Sequence, residues 1–132
     1  MQERELSHKL SFGTIIILNE HLAEVIIDEG VEMDKKLMEE YHNFLLENLT
    51  PPFSLLVNKL HSYSYTFDVQ RKISKLKEVF AVAVVVNSIG SKMATKTILS
   101  LNNDENWTMK MFYLREEALI WLNEEKNKRI SM

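Results

Sequence analysis

Phe80-Ala81-Val82-Ala83-Val84-Val85-Val86 is an unbroken run of seven apolar residues. A strand with one wet face alternates apolar and polar side chains. A continuous run of this length, rich in β-branched residues, is a strand buried on both faces. Burial of that kind belongs to a parallel sheet covered by helices, so the run points to an α/β domain. The residues after it keep the same rhythm. Asn87-Ser88 leads to a helical stripe of Ala94, Ile98 and Leu101. Met109 to Phe112 is a further strand, and a last helix carries Ala118, Trp121 and Leu122.

Upstream, Phe12–Leu18 and Ala23–Asp28 are β-branched runs separated by Asn19-Glu20-His21, which predicts an antiparallel hairpin ended by Gly30. Met33-Asp34 opens a helix with Asp34 as N-cap, and Leu37, Met38, Tyr41, Phe44, Leu45 and Leu49 recur at helical spacing. Thr50-Pro51-Pro52 stops it, because a residue before proline is pushed out of helical space. Phe53–Val57 is the next strand. Residues 58–66 form a long polar and aromatic loop. Asp68 is expected to cap a short helix with Val69, Ile73 and Leu76 inward. The expected order is strand, strand, helix, strand, helix, strand, helix, strand, helix. That gives a mixed five-stranded, mostly parallel sheet with four helices and right-handed crossovers. Residues 11–126 are read as one domain, with 1–10 a loose leading segment or a short edge segment and 127–132 a fraying tail.

The chain has 132 residues and 45% apolar content, enough for one well-buried domain. There is no cysteine, which removes disulfides, thiolate zinc sites and cysteine nucleophiles. It also fits a reducing compartment. No segment approaches the apolar length of a membrane span, and the first five residues are polar and mixed in charge, so the expected location is the cytoplasm. Net charge is -3, which offers no electrostatic footprint for nucleic acid. The dense basic cluster Arg71, Lys72, Lys75 and Lys77 reads as the wet face of a helix whose Ile73 and Leu76 point inward.

Motifs for chemistry are missing. His8, His21, His42 and His61 are scattered without metal-ligand spacing, and His42 reads as a surface or half-buried side chain of the first helix. No phosphate loop, dinucleotide fingerprint or nucleophile elbow is present, and the chain has only three glycines. Glu39-Glu40 and Glu116-Glu117 are adjacent on helices and point apart, so they do not make a catalytic pair. The sequence is therefore expected to carry no catalytic residue, no metal site and no cofactor.

In open α/β sheets, ligands gather outside the carboxyl ends of the strands. Those ends place Asn58, His61 and Ser62 after the third strand, Asn87 and Ser88 after the fourth, and Tyr113 after the fifth. Tyr63 and Tyr65 lie on the long loop beside them, and Asp68 follows. Ser88-Ile89-Gly90-Ser91, opening a helix, offers backbone amides to an anion; a plain strand-to-helix turn has the same sequence.

Ala81-Val82-Ala83-Val84-Val85-Val86-Asn87-Ser88, followed by Met111-Phe112-Tyr113-Leu114-Arg115-Glu116-Glu117-Ala118-Leu119-Ile120-Trp121-Leu122, resembles the SpoIIAA-like group of the STAS/SEC14 superfamily. The resemblance is strongest over residues 80–122 and extends over 12–125. It implies a single STAS/SpoIIAA-like domain with helices packed mainly on one face of the sheet, regulatory or ligand-binding roles, and no established chemistry. Ala118, being small, lets the last helix approach the sheet, and Trp121 with Leu122 covers it.

Two departures from the group bear on function. Tyr113 and Leu114 stand where a polar cap is expected, and Ile120 occupies a position expected to be wet. Together they make a candidate apolar interface patch. Antagonists of this class also carry a phosphorylatable serine in an Asp-Ser-Ser-Gly turn. Here the stretch is His61-Ser62-Tyr63-Ser64-Tyr65-Thr66-Phe67-Asp68, with no Asp-Ser pair and no glycine. Asp68 stands near the serine position as a fixed charge.

The sequence thus favours a non-enzymatic, regulatory or protein-interaction module lacking the phosphoserine switch. Its expected partner is another protein or a second copy of the chain, forming a homodimer. The alternative is a carrier for a small apolar or lipid-like ligand, which requires a cavity of roughly 300 Å³ or more. A small enzyme using His61 with Ser62 or Tyr65 is the least supported option, because no orienting acid is visible.

Overall fold

The computed structural model describes residues 6–73, 76–88, 92–93, 95–96 and 108–131. The elements run β1 (Leu6–Leu10), β2 (Gly13–Asn19), β3 (Leu22–Ile27), β4 (Glu32–Met33), α1 (Lys35–Asn48), β5 (Phe53–Lys59), β6 (Ser64–Tyr65), α2 (Phe67–Gln70), β7 (Val79–Val86), β8 (Thr108–Phe112) and α3 (Arg115–Ser131). Between β7 and β8, residues 92, 93, 95 and 96 are helical. The rest of the helix expected there, with Ala94, Ile98 and Leu101, lies outside the described residues.

The main sheet has six strands in the order β1-β2-β3-β5-β7-β8. β1, β2 and β3 pair antiparallel; β3 with β5, β5 with β7, and β7 with β8 pair parallel. The apolar run therefore sits between two co-directional strands. Ala81, Val82, Ala83, Val84, Val85 and Val86 are all buried, as the absence of alternation requires.

Burial on both faces comes from two separate apolar clusters. On one side α1 and α2 pack Met38, Tyr41, Leu45 and Val69 over Val25, Leu55, Val82 and Val84. On the other, among the described residues, α3 sets Ala118 and Leu122 on Leu56, Ala81, Ala83 and Val85. Ala118 is fully buried, which lets the helix sit close to the sheet. Trp121 is only half-buried and tilts against Phe112, with 5.6 Å between ring centroids.

Local chemistry explains the element ends. The Asp34 side chain accepts from the Leu37 amide at 2.9 Å, as its position before the helix predicts. Asn19 accepts the His21 amide at 2.8 Å and closes the hairpin turn. Gly13 lies so close to the neighbouring strand that a Cβ there would collide with the Ile26 carbonyl oxygen.

Several sequence expectations need correction. The strand count is six plus a two-stranded parallel ribbon of β4 and β6, not five. Of the two readings of 1–10, the short edge segment holds over Leu6–Leu10: β1 pairs with β2, which satisfies its backbone without burying much side chain. Three helices, not four, have defined ends among the described residues. The tail expected to fray from residue 127 continues α3 to Ser131. A Lys128–Glu125 pair at 3.0 Å and basic residues in the last turn suit a helix C-terminus. Finally, Thr66 rather than Asp68 caps α2: its hydroxyl accepts from the Val69 amide, while Asp68 sits inside the first turn and faces Lys72 at 3.4 Å. The helix itself is one turn long and ends at Gln70.

Candidate functional site

The carboxyl ends of β5, β7 and β8 lie side by side, because these strands are parallel neighbours. They bring Asn58, Asn87 and Tyr113 to one edge of the sheet. Alternation along β5 then separates what the sequence grouped. Phe53, Leu55 and Val57 face the α1 side; Leu56 faces α3. Asn58 continues the α3 set and Lys59 the α1 set.

On the α3 face, the Glu24 carboxylate of β3 is 3% exposed and fully engaged. Arg115, the first residue of α3, donates from Nε to both oxygens at 3.1 and 3.2 Å and from its terminal nitrogen to Oε1 at 2.7 Å. The Asn58 amide nitrogen donates to Oε2 at 2.9 Å. This network ties the start of α3 to the middle of the sheet, since a buried carboxylate is stable only when paired and hydrogen-bonded. Beyond that anchor, Tyr113, Leu114 and Ile120 are 65%, 54% and 60% exposed.

On the α1 face, Lys59 is 5% exposed, although it ends a strand and carries a long, normally solvent-seeking side chain. Its ammonium lies 4.3 Å from the Tyr63 ring centroid and 5.4 Å from that of Tyr65. The ribbon places both rings: β6 pairs with β4, so the segment after β5 folds back over the strand end. The two hydroxyls are 3.4 Å apart, and the rings meet edge to face. Burial lowers the Lys59 amine from 10.5 to about 8 and raises the phenols of Tyr41, Tyr63 and Tyr65. Burial also lowers the His42 imidazole, whose Nε2 lies 3.2 Å from the Ile73 carbonyl oxygen.

Lys59, Tyr41, His42, Tyr65 and Thr95 line a cavity of about 60 Å³ with walls of Leu45, Val57, Val82, Val84 and Met109. This volume is below the roughly 300 Å³ expected for a lipid-like ligand.

The other sequence candidates are dispersed. His61 and Ser62 are exposed, and no hydrogen bond joins His61 to Ser62 or Tyr65 among the described residues. The Ser62 amide donates to Glu29 at 2.9 Å, which fixes the loop. Asp68, Asn87 and Ser88 are exposed. Ile89, Gly90 and Ser91 of the expected anion turn lie outside the described residues. Lys59, Glu24 and Arg115 were not among the sequence candidates. The apolar period at 53, 55 and 57 carries an inward position to 59, a signal masked by the charge of the residue itself.

No protein-family model matches this chain, and no curated protein matches it. A solved structure does: an uncharacterized protein of the DUF3478 family from Shewanella loihica PV-4, described as having a SpoIIAA-like fold. The two chains are 13% identical, the TM-score is 0.51, and the match covers 90% of this chain and 92% of the other. Among the described residues no helix is long and apolar enough to cross a membrane, and no group of histidine and carboxylate side chains could hold a metal ion. The strand order, the parallel core and that match over nearly the whole length of both chains give this protein a SpoIIAA-like fold.

Proposed function

We propose that this chain is a non-enzymatic, cytoplasmic regulatory module that docks another protein through the entry of α3. The observation that supports the reading is the exposure of Tyr113 and Leu114, just before α3, and of Ile120 within it, on a helix whose first residue is fixed by the Glu24 carboxylate. Large apolar side chains held outward on a rigid element are a common mark of an interface. The module works without a phosphoserine at α2, where Asp68 and the capping Thr66 stand. A photo-reactive residue at Leu114, compared with one at exposed Glu47, tests the docking in cells. The expected result is one discrete protein adduct from position 114 that disappears when Tyr113 and Ile120 become serine. An adduct with a second copy would make the partner a homodimer. No adduct above the Glu47 control, with a protein that stays monomeric at high concentration, would refute the reading.

A second reading, binding of a small apolar ligand, draws on the cavity beside Lys59. At about 60 Å³ the ligand is a compact molecule, not a lipid.

A further inference from the structure

Lys59 is the most unusual charged group among the described residues. Its residue is 5% exposed, and its amine points into the cavity beneath Tyr63 and Tyr65. No hydrogen bond or ion pair reaches Nζ among the described residues. No Asp, Glu or Arg from β3, β5, β7, β8, α1 or the 73–79 segment lines the cavity. Among the described residues, the titratable groups that do face it are the Tyr41 and Tyr65 phenols and the His42 imidazole, with Tyr63 stacked on the amine. Burial raises the phenols and lowers the imidazole, so all of them are neutral at pH 7. The two rings offer a partial surrogate for an anion through their negative faces. They do not supply an acceptor for the three ammonium hydrogens.

We propose that this cavity binds a short aliphatic monocarboxylate, its carboxylate pairing with Lys59 Nζ and its hydrocarbon end lying against Val57, Val82 and Met109. This rests on the small-ligand reading above and names its chemistry. Charge sets the head: a buried cation without a counter-ion is stabilised most by a single negative charge that accepts hydrogen bonds. Wall composition sets the tail, since Val57, Val82, Val84, Leu45 and Met109 offer it an apolar surface. A phosphate, carrying more charge and more oxygens to desolvate than a single ammonium can compensate, is disfavoured. Size sets the length: at roughly 10–15 Å³ per water-sized centre, about 60 Å³ holds about four to six such groups, the size of propionate or butyrate.

Calorimetric titration of the full chain with butyrate, butyramide, butanol and inorganic phosphate tests the proposal, alongside Lys59→Met. Butyrate should bind in one-to-one ratio, butyramide and butanol about tenfold or more weakly, and phosphate not measurably. Lys59→Met should weaken butyrate by about tenfold or more. Affinity of the wild type should fall as pH rises past about 8, where the free amine loses its proton. A direct readout needs no variant: in the wild type, butyrate should move the titration of the Lys59 Cε resonance to higher pH. If butyrate, butyramide and butanol bind equally and Lys59→Met keeps that binding, the carboxylate proposal is overturned while the small-ligand reading stands. Equal binding of phosphate, or an unmoved Lys59 resonance, also overturns it. If nothing binds, both readings fall.

Discussion

Lys59 makes a quantitative stability prediction. The amine titrates near 10.5 when free in water and at about 8 in the folded protein, because burial disfavours its charged form. At pH 7 both states are protonated, so folding carries the whole cost of burying the charge. One pH unit of difference is worth about 1.4 kcal/mol, which makes that cost about 3 kcal/mol. Between pH 8 and 10.5 the unfolded chain holds its proton while the native one has released it. Stability therefore rises with pH through this window, and the penalty is gone above it. Tyr41, Tyr63 and Tyr65 act in the opposite sense at more alkaline pH. Their phenols are raised by burial, so stability they contribute is present below the ordinary tyrosine value and lost above it.

Comparison with Lys59→Met isolates the lysine from the tyrosines. Methionine keeps an unbranched side chain against the same rings and has no charge to bury. The variant should be at least as stable as the wild type at pH 7. Its advantage should shrink by about 2–3 kcal/mol between pH 7 and pH 10, the part of the window before the tyrosines dominate. Urea unfolding at one-unit pH steps, with both proteins sharing the same slope, measures this difference. A wild-type-minus-variant difference that stays flat to within about 0.5 kcal/mol would refute the buried-amine argument, as would one that changes in the opposite direction.

Two further outcomes follow from the α3 anchor and the α2 cap. Arg115→Ala leaves the Glu24 carboxylate buried with Asn58 alone, and it should cost about 2–3 kcal/mol, below the full penalty for a buried pair because Arg115 is 39% exposed. Replacing both partners, as Glu24→Leu with Arg115→Met, should recover most of that loss in the same urea assay. Thr66→Ala should cost about 1 kcal/mol by removing the acceptor for the Val69 amide, whereas Asp68→Ala should stay within about 0.5 kcal/mol, a contrast that thermal unfolding resolves.

How much of this was legible in the residues depends on how strongly burial marks them. β7 was plain because both of its faces are dry, so every position had to be apolar. The hairpin of β2 and β3 was equally plain, with isoleucine and valine on one side of a polar turn. β1 was not, because it forms an edge: Leu6-Ser7-His8-Lys9-Leu10 is held by backbone pairing and leaves most side chains wet. β4 and β6 are two residues each, too short for any period to show. The length of α3 was underestimated for a related reason. Its last turns carry no apolar stripe; the Glu125–Lys128 pair and Arg129, 5.2 Å from the Phe80 ring, take its place.

The sequence candidates lie along one edge of the sheet, and the strand geometry divides them between its two faces. Sequence treats Asn58, Lys59, Tyr63 and Tyr65 as one loop. A strand turns successive side chains to opposite faces, so adjacent Asn58 and Lys59 belong to different chemistry. Asn58 joins Glu24 and Arg115 and helps hold α3, where Tyr113, Leu114 and Ile120 face outward. Lys59 enters the opposite cluster and meets Tyr63 and Tyr65 above the cavity. If the ligand proposed for the cavity and the partner proposed for Leu114 are coupled, the route is this shared strand end. Asn58, the residue before Lys59, grips the carboxylate that positions Arg115. Coupling of this kind is a difference in free energy between two sites, and it must work in both directions. A carboxylate that strengthens docking at Leu114 has to be held more tightly once the partner is bound, by the same factor.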